Sequence, residues 1–141
     1  MFYFPGCSQK FLAASAPKAA AFKQFWRMVI HEKVPVIVMI TKLVEDKKRK
    51  AHQYWPDDGD GEESLGLVFE LGGGIRVEHL SSSFQGSYFI RRFCIQLQDG
   101  SQREVVQLHT EMWPDLTAPD EPRSFTIILS PVLNSEKNVI I

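Results

Sequence analysis

Between Lys18 and Glu32 the apolar residues Phe22, Phe25, Trp26, Val29 and Ile30 recur at the i, i+3, i+4, i+7, i+8 spacing of one helix face, which predicts a helix packed on a sheet. Val36 to Ile40 follows as a β-branched run without polar alternation, the pattern of a strand buried on both faces, and Pro35 stands at its start, where a lost backbone donor is tolerated. Glu45 to Lys50 is continuously charged and Asp57 to Gly61 is an acidic turn, so both read as loops. Short strand-like runs come next: Leu67 to Leu71, Ile75 to Leu80, Tyr88 to Leu97 and Arg103 to His109. Gly72 to Gly74, Ser81 to Ser83 and Asp99-Gly100 separate them, and the Asp-Gly pair is a hairpin signal. Phe89, Phe93, Ile95 and Leu97 put the odd positions of one run on a core face, with Arg91 the exception. Phe125, Ile128, Leu129 and Val132 form a second helical stripe, opened by Glu121-Pro122 and limited by Pro131, and Val139 to Ile141 predicts a last strand.

Composition agrees with one globular domain: 141 residues, 44% hydrophobic and 11% aromatic, with no repeat and no dividing linker. Sixteen basic residues against seventeen acidic ones leave a net charge of -1, so no basic surplus calls for nucleic acid. The longest apolar run, Val34 to Ile40, is far below the ~20 residues that cross a bilayer, so no membrane segment is expected in this chain. Two cysteines, Cys7 and Cys94, with no secretory segment before them fit a reducing, intracellular compartment better than a disulfide framework.

Two aromatic-proline motifs carry the candidate chemistry: Gln53-Tyr54-Trp55-Pro56 and Trp113-Pro114-Asp115. Taken singly, each reads as a tryptophan packing a loop onto the core. Their order along the chain changes the reading. Phe25-Trp26-Arg27-Met28, Val36-Ile37-Val38-Met39, Lys50-x-x-Gln53-Tyr54-Trp55-Pro56, Arg103-x-Val105-x-Gln107-x-His109 and Trp113-Pro114-Asp115 follow one another as they do in classical protein-tyrosine phosphatases, which this chain resembles. Phe11 to Pro17 looks like a degraded form of that family's aromatic-Ile-Ala-Thr-Gln-Gly-Pro segment. Asn138 to Ile141 looks like the strand that leads into its phosphate-binding loop. The resemblance thus covers nearly all of residues 1–141, as an incomplete phosphatase domain. It implies an α/β fold with a twisted mixed sheet flanked by helices, phosphotyrosine proteins as substrates, and a cytoplasmic location, whether in a free-standing or a receptor-type parent.

By that resemblance Asp115 is the general acid that protonates the leaving tyrosyl oxygen, on a mobile loop whose hinge side is Trp113 and Pro114. Glu45 and Lys50 match the charged loop that supports the acid loop, and Lys50 is placed to pair with Asp115. Arg91 fits a Tyr-x-x-Arg strand element as a structural anchor, and Trp26 and Trp55 are structural as well. Leu116 to Pro119 departs from the aromatic-or-His, Gly, Val, Pro that usually follows the aspartate, which bears on loop closure. The family's nucleophile opens a His-Cys-x5-Arg loop, and neither cysteine here does so, because Ala13 stands six residues after Cys7 and Gly100 six after Cys94. Cys94 reads as strand packing and Cys7 as a turn residue. His52 and His109 lack a second ligand at metal spacing, so no metal and no cofactor are expected. The chain is expected to be inactive alone and to act within a fuller domain. The alternative is a non-catalytic binding or regulatory remnant, a pseudophosphatase, whose sheet, cut at a central strand, exposes an apolar edge. Outright misfolding is the third expectation.

Overall fold

A computed structural model of the chain describes residues 11–57, 68–112 and, as backbone, 139 and 140. In chain order the elements are β1 (Phe11–Leu12), a 3-10 turn (Ala19–Ala21) running into α1 (Phe22–His31), β2 (Val36–Met39), β3 (Val44–Glu45), β4 (Lys48–Arg49), β5 (Val68–Glu70), β6 (Arg76–Phe84), β7 (Phe89–Gln96), β8 (Gln102–His109) and β9 (Val139–Ile140). Seven of the strands form one mixed sheet in the order β1-β9-β2-β8-β7-β6-β5. From β1 to β8 neighbours run parallel, and from β8 to β5 they run antiparallel. Trp113-Pro114-Asp115, the stripe from Phe125 to Val132, Cys7 and most of the acidic turn lie outside the described residues.

The predicted helix packs through Phe25, Trp26 and Val29, all buried, as its spacing requires. Trp26 meets the Phe93 ring edge-on at 5.9 Å and donates its indole N–H to the Tyr54 carbonyl at 2.8 Å, so one side chain joins helix, sheet and the loop after the charged segment. Val77, Phe93, Ile95 and Val105 complete that core. At roughly 1.5–3 kcal/mol for each large apolar side chain buried, this layer is the main source of stability in the described residues. The helix ends in a Schellman motif, with Val34 N donating to Val29 O and Lys33 N to Ile30 O. Lys33 takes the left-handed position at φ 52°, where glycine is the usual occupant, and buried Val34 holds it there.

The Asp-Gly hairpin forms as read, with Leu97 N donating to Ser101 O at 2.9 Å and Gly100 in the left-handed region at φ 81°. Gly74 also has positive φ, and a Cβ there would stand 2.3 Å from Gln98 Cβ, so this turn packs against the next hairpin by having no side chain.

Three readings are corrected. Glu45 to Lys50 is not a loop: β3 and β4 pair as a small hairpin, Val44 opposite Arg49 and Glu45 opposite Lys48, around Asp46 and Lys47 at φ 50° and 60°. That turn geometry ordinarily advertises itself through Asn-Gly, and here non-glycine residues adopt it. Ser81 to Ser83 does not separate two strands but continues β6. A bulge between His79 and Ser81, bridged by a 2.7 Å hydrogen bond between the His79 ring and Ser82 Oγ, resets the register so that pairing with β7 continues to Phe84. The last strand is not an exposed edge, since β9 lies between β1 and β2, and the sheet's outer strands among the described residues are β1 and β5.

Candidate active site

Parallel strands all release their chain at one sheet edge, and sites in open α/β sheets form there. β9, β2 and β8 are neighbours and run toward the same edge, with Met39 of β2 level with His109 of β8. Two connections leave that edge next to each other: Ile40 to Leu43, leading into the β3–β4 hairpin, and Thr110 to Met112, leading to Trp113-Pro114-Asp115. The base of the second is firmly held. Thr110 N donates to Met39 O at 2.9 Å, the Thr110 hydroxyl donates to Ser87 O at 3.2 Å, and that hydroxyl accepts from Met112 N at 3.3 Å. Asp115, Trp113 and Pro114 themselves lie outside the described residues.

Behind this base the core face of β7 and β8 turns polar. Arg91 is buried and donates through one guanidinium nitrogen to Gln107 Oε1 at 3.0 Å and to His109 Nδ1 at 3.1 Å. Gln107 passes the network on by donating to the Tyr54 hydroxyl at 3.1 Å, and its amide also lies 4.0 Å from Met39 Sδ. His109 Nε2 is 2.9 Å from Thr41 O, in the connection that leads to the charged hairpin. The guanidinium carbon sits 5.0 Å from the Trp55 ring centre and 4.7 Å from that of Phe89, so stacking offsets part of the cost of burying a cation. Burial drives the Tyr54 phenol far above its ordinary value, opposed by the Gln107 hydrogen bond and the Arg91 charge, so Tyr54 is a neutral member of the network. The Trp55 indole N–H is buried beside the same network with no acceptor among the described residues.

Among the residues expected at the site, the fold brings Arg91 and Trp55 into contact and sets Trp26 one layer below them through Tyr54. Glu45 and Lys50 sit on the hairpin without facing each other. Glu45 pairs with Lys48 across the strands and lies 3.6 Å from Lys42 Nζ, and Lys50 N donates to Leu43 O at 2.8 Å where the hairpin closes. Gln107, Tyr54, Thr110 and Thr41 had no assigned role from sequence, and His109 had been weighed only as a metal ligand. The legible signal for them was the alternation Val105, Gln107, His109, which puts two polar side chains on a face that is otherwise apolar. Cys94 is half-buried in β7 opposite Glu78 and Glu104, and burial, then the charges of those two glutamates, pushes its thiol up. This is the reverse of what a nucleophilic thiolate needs. No group of three potential metal ligands occurs among the described residues, and no described helix is long and apolar enough to cross a membrane.

Known proteins are similar to this chain in sequence and in fold. Human receptor-type tyrosine-protein phosphatase epsilon is 44% identical over 117 residues, covering 80% of this chain and 15% of the relative. Human receptor-type tyrosine-protein phosphatase alpha is 38% identical over 119 residues, 80% of this chain and 14% of that protein. The chain therefore spans about a seventh of the length of these relatives. A solved structure described as "Structural basis of PTPN18 fingerprint on distinct HER2 tyrosine phosphorylation sites" superposes with a TM-score of 0.77 at 20% identity, over 93% of this chain and 45% of its own, which shows a shared fold. The protein-tyrosine phosphatase family model matches residues 3–141, and the chain belongs to that family.

Proposed function

We propose that these residues are the acid side of a domain that hydrolyses phosphotyrosine in proteins, with Asp115 as the general acid and the nucleophilic cysteine outside residues 1–141. The observation that carries this reading is the convergence at one sheet edge of the connection to Trp113-Pro114-Asp115, the connection to the Glu45–Lys50 hairpin, and the course of β9 toward the same edge. In such a domain Asp115 donates a proton to the leaving tyrosyl oxygen as the P–O bond breaks, and Lys50 and Glu45 support the closed position of its loop. A cysteine thiolate beyond this chain attacks phosphorus, held in a cradle of backbone N–H groups at a helix N-terminus with an arginine on the phosphoryl oxygens. Cys94 cannot replace it, being seated within a strand with its thiol held protonated and with Gly100 at the arginine position. Residues 1–141 alone therefore hydrolyse nothing, since removing the nucleophile from a unit that acts together removes nearly all of the rate enhancement.

Mass analysis of the endogenous polypeptide captured through Asp57 to Glu70 tests this first. A species much larger than 16.1 kDa that carries a Cys-x5-Arg loop is the expected result. In that species Asp115→Asn should lower kcat on a phosphotyrosine peptide by about 10²–10⁴ and flatten the limb of the pH profile that reports the acid. A species of 16.1 kDa would move the reading to a non-catalytic binding or regulatory protein of this family. Phosphotyrosine hydrolysis by the purified 141-residue chain would overturn the placement of the nucleophile.

A further inference from the structure

The contacts of His109 determine where its proton sits. Arg91 has only donors, so the imidazole Nδ1 that faces it at 3.1 Å must be an acceptor with a free lone pair. Thr41 O has only acceptor capacity, so Nε2 at 2.9 Å must carry the hydrogen and donate it. The ring is thus neutral, in the Nε2–H form. It ties the last residue of β8 to the connection after β2, one residue before the Thr110 N to Met39 O bond and three before Met112. Protonation would turn Nδ1 into a donor facing a guanidinium at hydrogen-bond distance, which would break the Arg91–Nδ1 bond and set two cations against each other, pushing the ring off its seat although Nε2 keeps its hydrogen.

The surroundings reinforce the neutral form. Arg91 faces the ring from β7, Trp55 meets it edge-on at 5.5 Å, and Phe89 packs at 6.4 Å. The hydroxyl of the neutral Tyr54 reaches the same network through Gln107. Glu111, two residues on, is the carboxylate whose charge acts in the opposite sense. Burial holds the His109 pKa below its ordinary value; the Thr41 carbonyl works against this, the Arg91 charge adds to it, and Glu111 opposes it.

We propose that His109 is a positioning residue for the acid loop: a neutral imidazole that clamps the loop's base to the Thr41 connection through Nε2–H, and that releases this clamp when protonated because Arg91 occupies its other nitrogen. The proposal rests on Asp115 being the acid carried by that loop. It places a proton-operated hinge between the loop's base and the charged hairpin, so that the two segments loosen together.

The test needs no catalysis, so its failure is distinct from a failure of Asp115 as the acid. Imidazole nitrogen shifts of the 141-residue chain, followed by NMR from pH 8 to pH 5, should show His109 as a single Nε2–H tautomer that gains its second proton only below the ordinary histidine range. Amide protection factors at Lys50, whose N–H bonds to Leu43 O at the end of the Thr41 connection, and at Met112 should fall together by about tenfold as it does so, while those at Leu97 and Gly100 stay unchanged. His109→Gln keeps a donor for Thr41 and cannot titrate, so it should remove the pH dependence at both segments. His109→Asn keeps only the acceptor for Arg91, so it should leave both segments loosened at every pH. An Nδ1–H ring, the tautomer mixture of a free imidazole, or protection at Lys50 and Met112 that ignores the titration would overturn the proposal.

Discussion

One face of β7 and β8 is built in two ways. Toward the turn that joins the strands, Phe93, Ile95 and Val105 are fully buried against Trp26 and Val77, with His79 beside the Phe93 ring and Arg103, which donates to Ile30 O, as the polar neighbours of an otherwise apolar layer. Two residues further along each strand, Arg91, Gln107 and His109 occupy the same face, equally enclosed, under Tyr54 and Trp55. The first layer is apolar area removed from water, non-directional and tolerant of exchange among shapes of similar volume. In the second, each donor needs a particular acceptor and the loss of one partner leaves another stranded. The apolar layer therefore supplies stability. The polar layer holds fixed the two connections that leave the parallel edge, at the end of the sheet where the candidate active site stands.

Substitutions that strip each layer should separate these roles, and the largest effect belongs to the apolar one. Trp26→Ala removes ring contacts to Phe25, Tyr54 and Phe93 and the bond to Tyr54 O, and should cost about 3–5 kcal/mol, read as a collapse of the urea midpoint. Arg91→Met, close in volume, should cost about 2–3 kcal/mol because Gln107 Oε1 and His109 Nδ1 lose a charged donor. It should also let His109 take up its proton at a higher pH, a shift that NMR titration detects and that Trp26→Ala has no reason to produce.

A pH effect of intermediate size follows from His109. Its folded pKa lies below the unfolded value near 6.5, so the unfolded chain binds the extra proton first as pH falls. Its contribution is complete above that value and is lost between it and the lower folded pKa, a loss that denaturant midpoints measured from pH 7.5 downward should show and that His109→Gln should abolish. Lys33→Gly should instead stabilise the chain by about 1 kcal/mol, since φ 52° costs lysine and suits glycine. A lower thermal midpoint in that variant would contradict the Schellman geometry. The smallest effect is expected from Glu104→Ala. Its ion pair with Arg92 is about half exposed on both sides, so stability should move by less than ~0.5 kcal/mol, while Cys94, relieved of one nearby negative charge, should alkylate faster.

The helix and the main strands were legible because their signals are local. Five apolar residues at helical spacing leave one face to bury, and a β-branched run without polar alternation asks for cover on both faces. The β3–β4 hairpin was not legible, since Asp46-Lys47 lacks the glycine by which such turns are read and the charged flanks resembled a solvated loop. The serine cluster misled for a related reason. Serine is a turn former in isolation, and only the bulge at His79 and the facing residues of β7 keep it extended. Arg91 stood out as an exception on an apolar face and Trp55 within an aromatic-proline motif, yet nothing local joined them to each other or to Gln107 and His109, because these lie on another strand and Tyr54 and Trp55 on a loop.

By itself the sequence determined which residues need burial, the ordered aromatic motifs that mark the family, and the absence of a Cys-x5-Arg loop from these residues. Each of these is a property of neighbours along the chain. The tertiary structure alone decided that β9 lies between β1 and β2, that the connections after β2 and β8 emerge side by side, and that the proton of His109 sits on Nε2. The first two depend on which strands pair, and pairing joins residues far apart in sequence. The last depends on a donor from β7 and an acceptor after β2 meeting opposite edges of one ring, a relation that exists only once the three segments have packed together.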